Sequence, residues 1–162
     1  MIQTKRGTAK KPVATLTNLE SHLGFWLRFV SNHVTERFQQ EIERHGVSVS
    51  EWVAMRYLHD FNEAAPSGLM TALGMSKGAV SKIVSRLEEK GLASRNEDLS
   101  DKRAQSVQLT KAGRKLVPVL ASIADQNDEL FFGALSAEAK GHLMALMKEL
   151  VKQHSLQQVP VH

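Results

Sequence analysis

Between Leu73 and Gly91 the sequence LGMSKGAVSKIVSRLEEKG sorts its residues into two kinds by spacing. Val80, Ile83, Val84 and Leu87 recur three and four apart, which makes one apolar helix stripe. Lys77, Ser81, Lys82, Ser85 and Arg86 fall largely off that stripe. Cations neutralise phosphates, and a serine hydroxyl can donate to or accept from several base edges, so such a face suits the major groove of duplex DNA. In isolation, a solvated surface helix carrying lysines would look the same. Ser76 is placed to cap the helix, its hydroxyl accepting an amide proton otherwise left free, and Gly91 to end it.

Other chemistries are poorly served. The chain of 162 residues has no cysteine, which excludes thiolate catalysis, disulfides and a cysteine-based oxidant sensor. No Gly-rich phosphate loop, zinc-hydrolase spacing or nucleophile elbow is present, so an enzyme is not expected. The seven histidines include no pair at i, i+4, and the acid–imidazole pair Glu41 and His45 is thin support for a metal site. No cofactor is expected. The formal charge is only +4, but it is unevenly placed. Lys5, Arg6, Lys10 and Lys11 make residues 1–16 a basic, flexible tail, and Lys77 to Lys115 carries ten cations against five acids. That distribution resembles an electrostatic footprint for a polyanion. No stretch reaches membrane-spanning length and the N-terminus lacks the apolar core of a secretory signal, so a cytoplasmic location is expected.

The elements that must hold the cationic helix can be read from the same periodicities. Thr17-Asn18-Leu19-Glu20 has the form of a capping box, opening an amphipathic helix of about 25 residues that ends near His45-Gly46. Phe25, Trp26 and Phe29 widen its apolar surface beyond one stripe, as contact with a second element or a second subunit requires. Ser48-Val49-Ser50-Glu51 is another capping box, starting a helix to about Asp60. Pro66 suits the first turn of a short helix with Leu69, Met70 and Leu73 inward, and Gly74-Met75 turns the chain into the cationic helix. Two short helices joined by such a turn make a helix-turn-helix. After Gly91, Leu92 to Asn96 and Gln105 to Leu109 predict a two-stranded hairpin with a charged tip. Thr110 caps a long helix to about Phe132. Ser136 opens the last, with Leu143, Leu146, Met147 and Leu150 as its core stripe and a frayed tail over 154–162.

The stretches Leu92-Ala93-Ser94-Arg95, Asp101-Lys102-Arg103 and Val107-Gln108-Leu109-Thr110-Lys111-Ala112-Gly113 resemble the D-x-R…V-x-L-T-x-x-G wing pattern of the MarR family of bacterial transcriptional regulators. Leu73 to Ser81 is similar to that family's recognition helix, and Leu87 to Leu92 to its exit. The resemblance implies a mainly α fold. A winged helix-turn-helix DNA-binding domain would occupy 47–113, and helices over 17–46 and 114–153 would form a dimerisation region. It implies a homodimer binding pseudo-palindromic double-stranded DNA, commonly as a repressor. By position Arg103 would enter the minor groove, Asp101 would orient or neutralise it, and Lys102 would meet phosphate. Arg95 would pair with a wing carboxylate or touch phosphate. The family commonly takes a small aromatic acid as effector, in a cleft for which His22, Trp26, Arg28, Phe29, Trp52, Met55 and Arg56 are the candidates here. Packing is the competing role for Trp26, Phe29, Trp52 and Met55. Gly68 departs from the family, which often has a helix-favouring residue such as Glu there. A winged helix used to dock another protein is the alternative, and it would show apolar residues where the basic ones stand.

Overall fold

A computed structural model describes residues 16–97 and 105–156. A 3-10 turn, Leu19–Ser21, precedes α1 (Leu23–Glu43), α2 (Val49–Phe61), β1 (Glu63–Ala64), α3 (Pro66–Leu73), α4 (Lys77–Glu89), β2 (Ala93–Glu97), β3 (Gln105–Leu109), α5 (Lys111–Phe132) and α6 (Ala137–Gln153). The chain divides within α1 into two compact units, Met1–His33 and Val34–His162.

In the second unit Ile42, Met55, Leu58, Leu69, Leu73, Val80, Leu87, Val107, Val117 and Leu120 form one core, all at 2% exposure or less. The helix-turn-helix is built as its residues predict. Pro66 opens α3, and Gly74 ends it with φ +63°, a left-handed conformation that glycine adopts without steric cost. The Ser48 box is complete: its hydroxyl accepts from the Glu51 amide at 3.3 Å, and the Ser48 amide donates to Glu51 at 2.8 Å. Gly68 has a local reason. A β-carbon there would sit 3.1 Å from the Tyr57 hydroxyl of α2, so glycine lets α3 lie against that side chain.

Three expectations are corrected. The hairpin gains a third strand: Glu63 pairs with Gln108 and Ala64 with Val107, giving the antiparallel order β1-β3-β2. Two residues are too few to show alternation. Asn62, at φ +61°, turns the chain into β1, and Arg114 of α5 holds it by 3.1 Å bonds to its side-chain and backbone oxygens. The Thr17 capping box does not form; Asn18 precedes the 3-10 turn without a side-chain cap, and the extended His22 interrupts the helix before α1. Finally, the stripe predicted for α6 has no core to enter within one chain. No residue of α6 is buried, and Leu146, Met147 and Leu150 stand exposed.

The first unit carries an aromatic ladder along α1. Phe25 and Trp26 meet edge to face at 5.1 Å, Phe29 lies 4.5 Å from the His33 ring, and the Trp26 indole donates to the Glu20 carbonyl at 2.8 Å. Leu23, Trp26, Leu27, Phe29 and Val30 are nonetheless exposed.

Candidate nucleic-acid interface

Burial of Val80, Ile83, Val84 and Leu87 fixes α4 by one side and leaves the other to solvent. On that outer side Lys77, Ser81, Lys82 and Arg86 are exposed and Ser85 is half-buried. Ser76 caps the helix as expected, accepting from the Ala79 amide at 3.4 Å, so its hydroxyl is committed. The result is a convex face of cations and hydroxyls beginning at a helix N-terminus, an arrangement able to meet phosphates and base edges together.

The two flanks of α4 are held differently. On one, the Arg95 guanidinium of β2 pairs with the Glu88 carboxylate through Nη1. Its Nη2 donates to the Ser81 carbonyl at 3.2 Å and the Ser85 hydroxyl at 3.1 Å, while the Arg95 amide donates to Glu88 Oε1 at 2.9 Å. The carboxylate that Arg95 meets among the described residues is Glu88 on α4, where one on the wing was expected, and the contact laces β2 to α4. Ser85 is drawn into the same contact. On the other flank Lys90, at the C-cap of α4, donates to both carboxylate oxygens of Glu51 at 2.8 and 2.7 Å. Glu51 is 1% exposed, a burial that a carboxylate tolerates only when paired and hydrogen-bonded. Arg86 lies on this flank, lining a shallow depression with Glu43, Ser48 and Lys90.

The wing strands β2 and β3 run in register from Ala93↔Leu109 to Glu97↔Gln105. Asp101, Lys102 and Arg103 lie outside the described residues. The base of the wing is tied down by Thr110. Its amide donates to the Leu92 carbonyl at 3.1 Å, its hydroxyl donates to the Gly91 carbonyl at 2.7 Å, and that hydroxyl accepts from the Gly113 amide at 3.1 Å. A β-carbon on Gly113 would overlap the Leu92 carbonyl oxygen, which explains glycine at the end of the T-x-x-G stretch.

The effector candidates belong to both units. Trp52 lines a cavity of about 270 Å³ with Val34, Phe38, Val49, Val53, Ala124, Asn127 and Asp128. Met55 is fully buried in the core, where it packs against other side chains, and Arg56 is held on the surface by Asp60 at 2.6 Å. His22, Trp26, Arg28 and Phe29 belong to the first unit and are exposed. Glu88, Lys90 and Asn127 were not picked out by sequence reasoning. An acid on an otherwise cationic helix, followed by an arginine in the next strand, was a usable signal for Glu88; Asn127 left none. Its Nδ2 donates to the Val34 carbonyl at 3.1 Å, while its Oδ1 has no partner among the described residues. Among those residues no group of three or more His, Asp or Glu side chains could hold a metal ion, and no helix is long and apolar enough to cross a membrane.

A family model described as MarR family matches residues 45–104. The transcriptional regulator HosA of Escherichia coli is 30% identical over 125 residues, covering 77% of this chain and 91% of that regulator. Two solved structures share the fold at TM-score 0.72 and 23% identity. BpsR of Bordetella bronchiseptica covers 84% of this chain and 97% of its own; the S. aureus MepR–DNA complex covers 82% and 98%.

Proposed function

This chain belongs to the MarR family and is a DNA-binding transcriptional regulator, and from that premise we propose that it is a repressor acting as a homodimer on pseudo-palindromic duplex DNA, released by a small aromatic acid. The observation that carries the reading is the outer side of α4, where Lys77, Lys82 and Arg86 stand exposed opposite a wholly buried apolar stripe. The winged-helix domain over 47–113 sets α4 in the major groove. Residues 17–46 and 114–153 pair with a second copy, so that two α4 helices meet half-sites about one helical turn apart. The exposed apolar faces of α1 and α6 support that pairing. Arg103 enters the adjacent minor groove with Asp101 orienting it, and Lys102 meets phosphate.

For the effector, the cavity beside Trp52 is the favoured place: it is small, largely apolar, and has Thr35, Asn127 and Asp128 in its lining as polar residues for a ring substituent. BpsR, whose DNA binding is regulated by 6-hydroxynicotinic acid, supports an effector of that class. Ligand binding biases the spacing of the two α4 helices, and repression is lifted when the bound form fits DNA poorly.

The experiment is a salt-controlled fluorescence titration against duplexes selected from random DNA. Lys82→Ala and Lys102→Ala are each expected to weaken selected and random duplexes alike and to lower the salt slope by about one. Arg103→Ala is expected to cost selected binding markedly while the protein sediments as before. Full retention of affinity by Arg103→Ala would remove the wing assignment. A panel of aromatic acids that leaves the melting temperature unmoved would remove the effector.

A further inference from the structure

We propose that Gly78 is a specificity-determining position: by lacking a side chain it lets the first turn of α4 come closer to the base edges of bound DNA than any other residue would allow. The inference rests on α4 being the helix that enters the groove, as proposed above.

Glycine is a poor helix residue, and where one is kept the surrounding protein commonly explains it. Gly68 leaves room for the Tyr57 hydroxyl, and Gly113 for the Leu92 carbonyl. Gly78 has no such neighbour: beyond its adjacent residues and the backbone of its own helix, no described atom lies within 4 Å of the β-carbon it would carry. Nor does the backbone ask for it, because Gly78 is not among the residues of positive φ. The fold would therefore accept alanine there.

Its surroundings supply the missing reason. Gly78 is exposed on the outer side of α4, with Ser81 and Lys82 three and four residues on and Lys77 beside it. It is thus a gap in the middle of a cationic, hydroxyl-bearing patch, in the turn whose residues reach base edges when a recognition helix lies in the major groove. Long cationic chains around the gap reach outward to phosphates, while the bare backbone between them admits the floor of the groove. Gly24 and Gly141 are equally open, but they lie on α1 and α6, whose exposed apolar faces suit a second copy of the chain. Gly78 differs in lying on α4, among Lys77, Ser81 and Lys82.

The test uses the full chain, duplexes recovered with it from a random library, and one mixed-sequence duplex at low salt. Gly78→Ala is expected to lose at least fivefold on the recovered duplexes and Gly78→Leu at least fiftyfold. Both should bind the mixed duplex within twofold of the parent and melt no lower than it. Gly78→Ala is expected to melt up to about 4 °C higher. A loss below fivefold for Gly78→Ala overturns the proposal. So does a loss accompanied by a lower melting temperature, which would mean that the fold needs the glycine, or an equal loss on the mixed duplex. Lys82→Ala separates the premise from the proposal. If it leaves both duplexes bound as before, α4 is not the reading helix; if it weakens both while Gly78→Ala binds normally, only the role of Gly78 falls.

Discussion

Arg95 and Gly113 show how single residues tie the neighbouring elements to α4 and its exit. Arg95 uses its guanidinium on Glu88, the Ser81 carbonyl and the Ser85 hydroxyl, and its amide on Glu88 again. A guanidinium engaged at three points within the protein is a positioning group, and its loss should act on DNA through geometry. Arg95→Ala is expected to lower stability by about 1–2 kcal/mol and to weaken duplex binding with no change in salt slope. Denaturant melts and titrations at several salt concentrations read both; a slope lower by about one would instead make Arg95 a phosphate contact. Gly113 acts by exclusion. Since its β-carbon would overlap the Leu92 carbonyl, Gly113→Ala must push the start of α5 from the exit of α4, at about 2–4 kcal/mol in a urea melt.

Among the elements, α2 has the widest set of duties. Val49, Trp52 and Val53 line the cavity, while Glu51 at its first turn holds Lys90 at the end of α4. Lys90→Met leaves the buried carboxylate only its Ser48 bond, and is expected to cost about 1–3 kcal/mol in stability and to reduce selected-duplex affinity. Lys90→Arg, which keeps the charge, should recover most of both, as thermal melts and titration would record. That pair joins residues 39 apart in sequence, and neither periodicity nor capping spacing announces such a bond. What the spacing did announce was local: the apolar stripe of α4, the Ser48 box, and the Pro66 start and Gly74 end of α3 are each written within one or two turns. β1 escaped because two residues carry no period, and its place depends on Arg114 reaching back to Asn62. The break at His22 escaped because Thr17 and Glu20 have the right spacing for a cap, while the contact that the Trp26 indole makes with the Glu20 carbonyl joins residues a turn and a half apart. At the interface, the cationic face was legible in residue types; which of its members are already engaged inside the protein was not.

For the whole molecule, the informative surface is the apolar one. Along α6, Met144, Leu146, Leu150 and Val151 are 53%, 60%, 45% and 47% exposed, and along α1 Leu23 reaches 82%. Scattered apolar exposure is ordinary, but two helices each presenting an ordered row of large apolar side chains need a partner surface to be tolerated in water. The stripe spacing of α6 is that of a core-facing helix, and the proposed homodimer would supply the missing side of its core from a second copy. Replacing Leu146 and Leu150 together by glutamate buries two charges in such an interface and should split the dimer, with sedimentation equilibrium reporting single chains at micromolar concentration. The consequence for DNA follows from linkage. In the proposed homodimer, two α4 helices on one scaffold would bind the second half-site intramolecularly, an advantage of about 10²–10⁴ that a lone subunit forfeits. The double variant should therefore lose at least a hundredfold on a palindromic duplex and far less on a single half-site. Should it sediment as the parent does, α6 is covered by something other than a second copy; should it split yet bind the palindrome unchanged, each chain would be reading DNA alone.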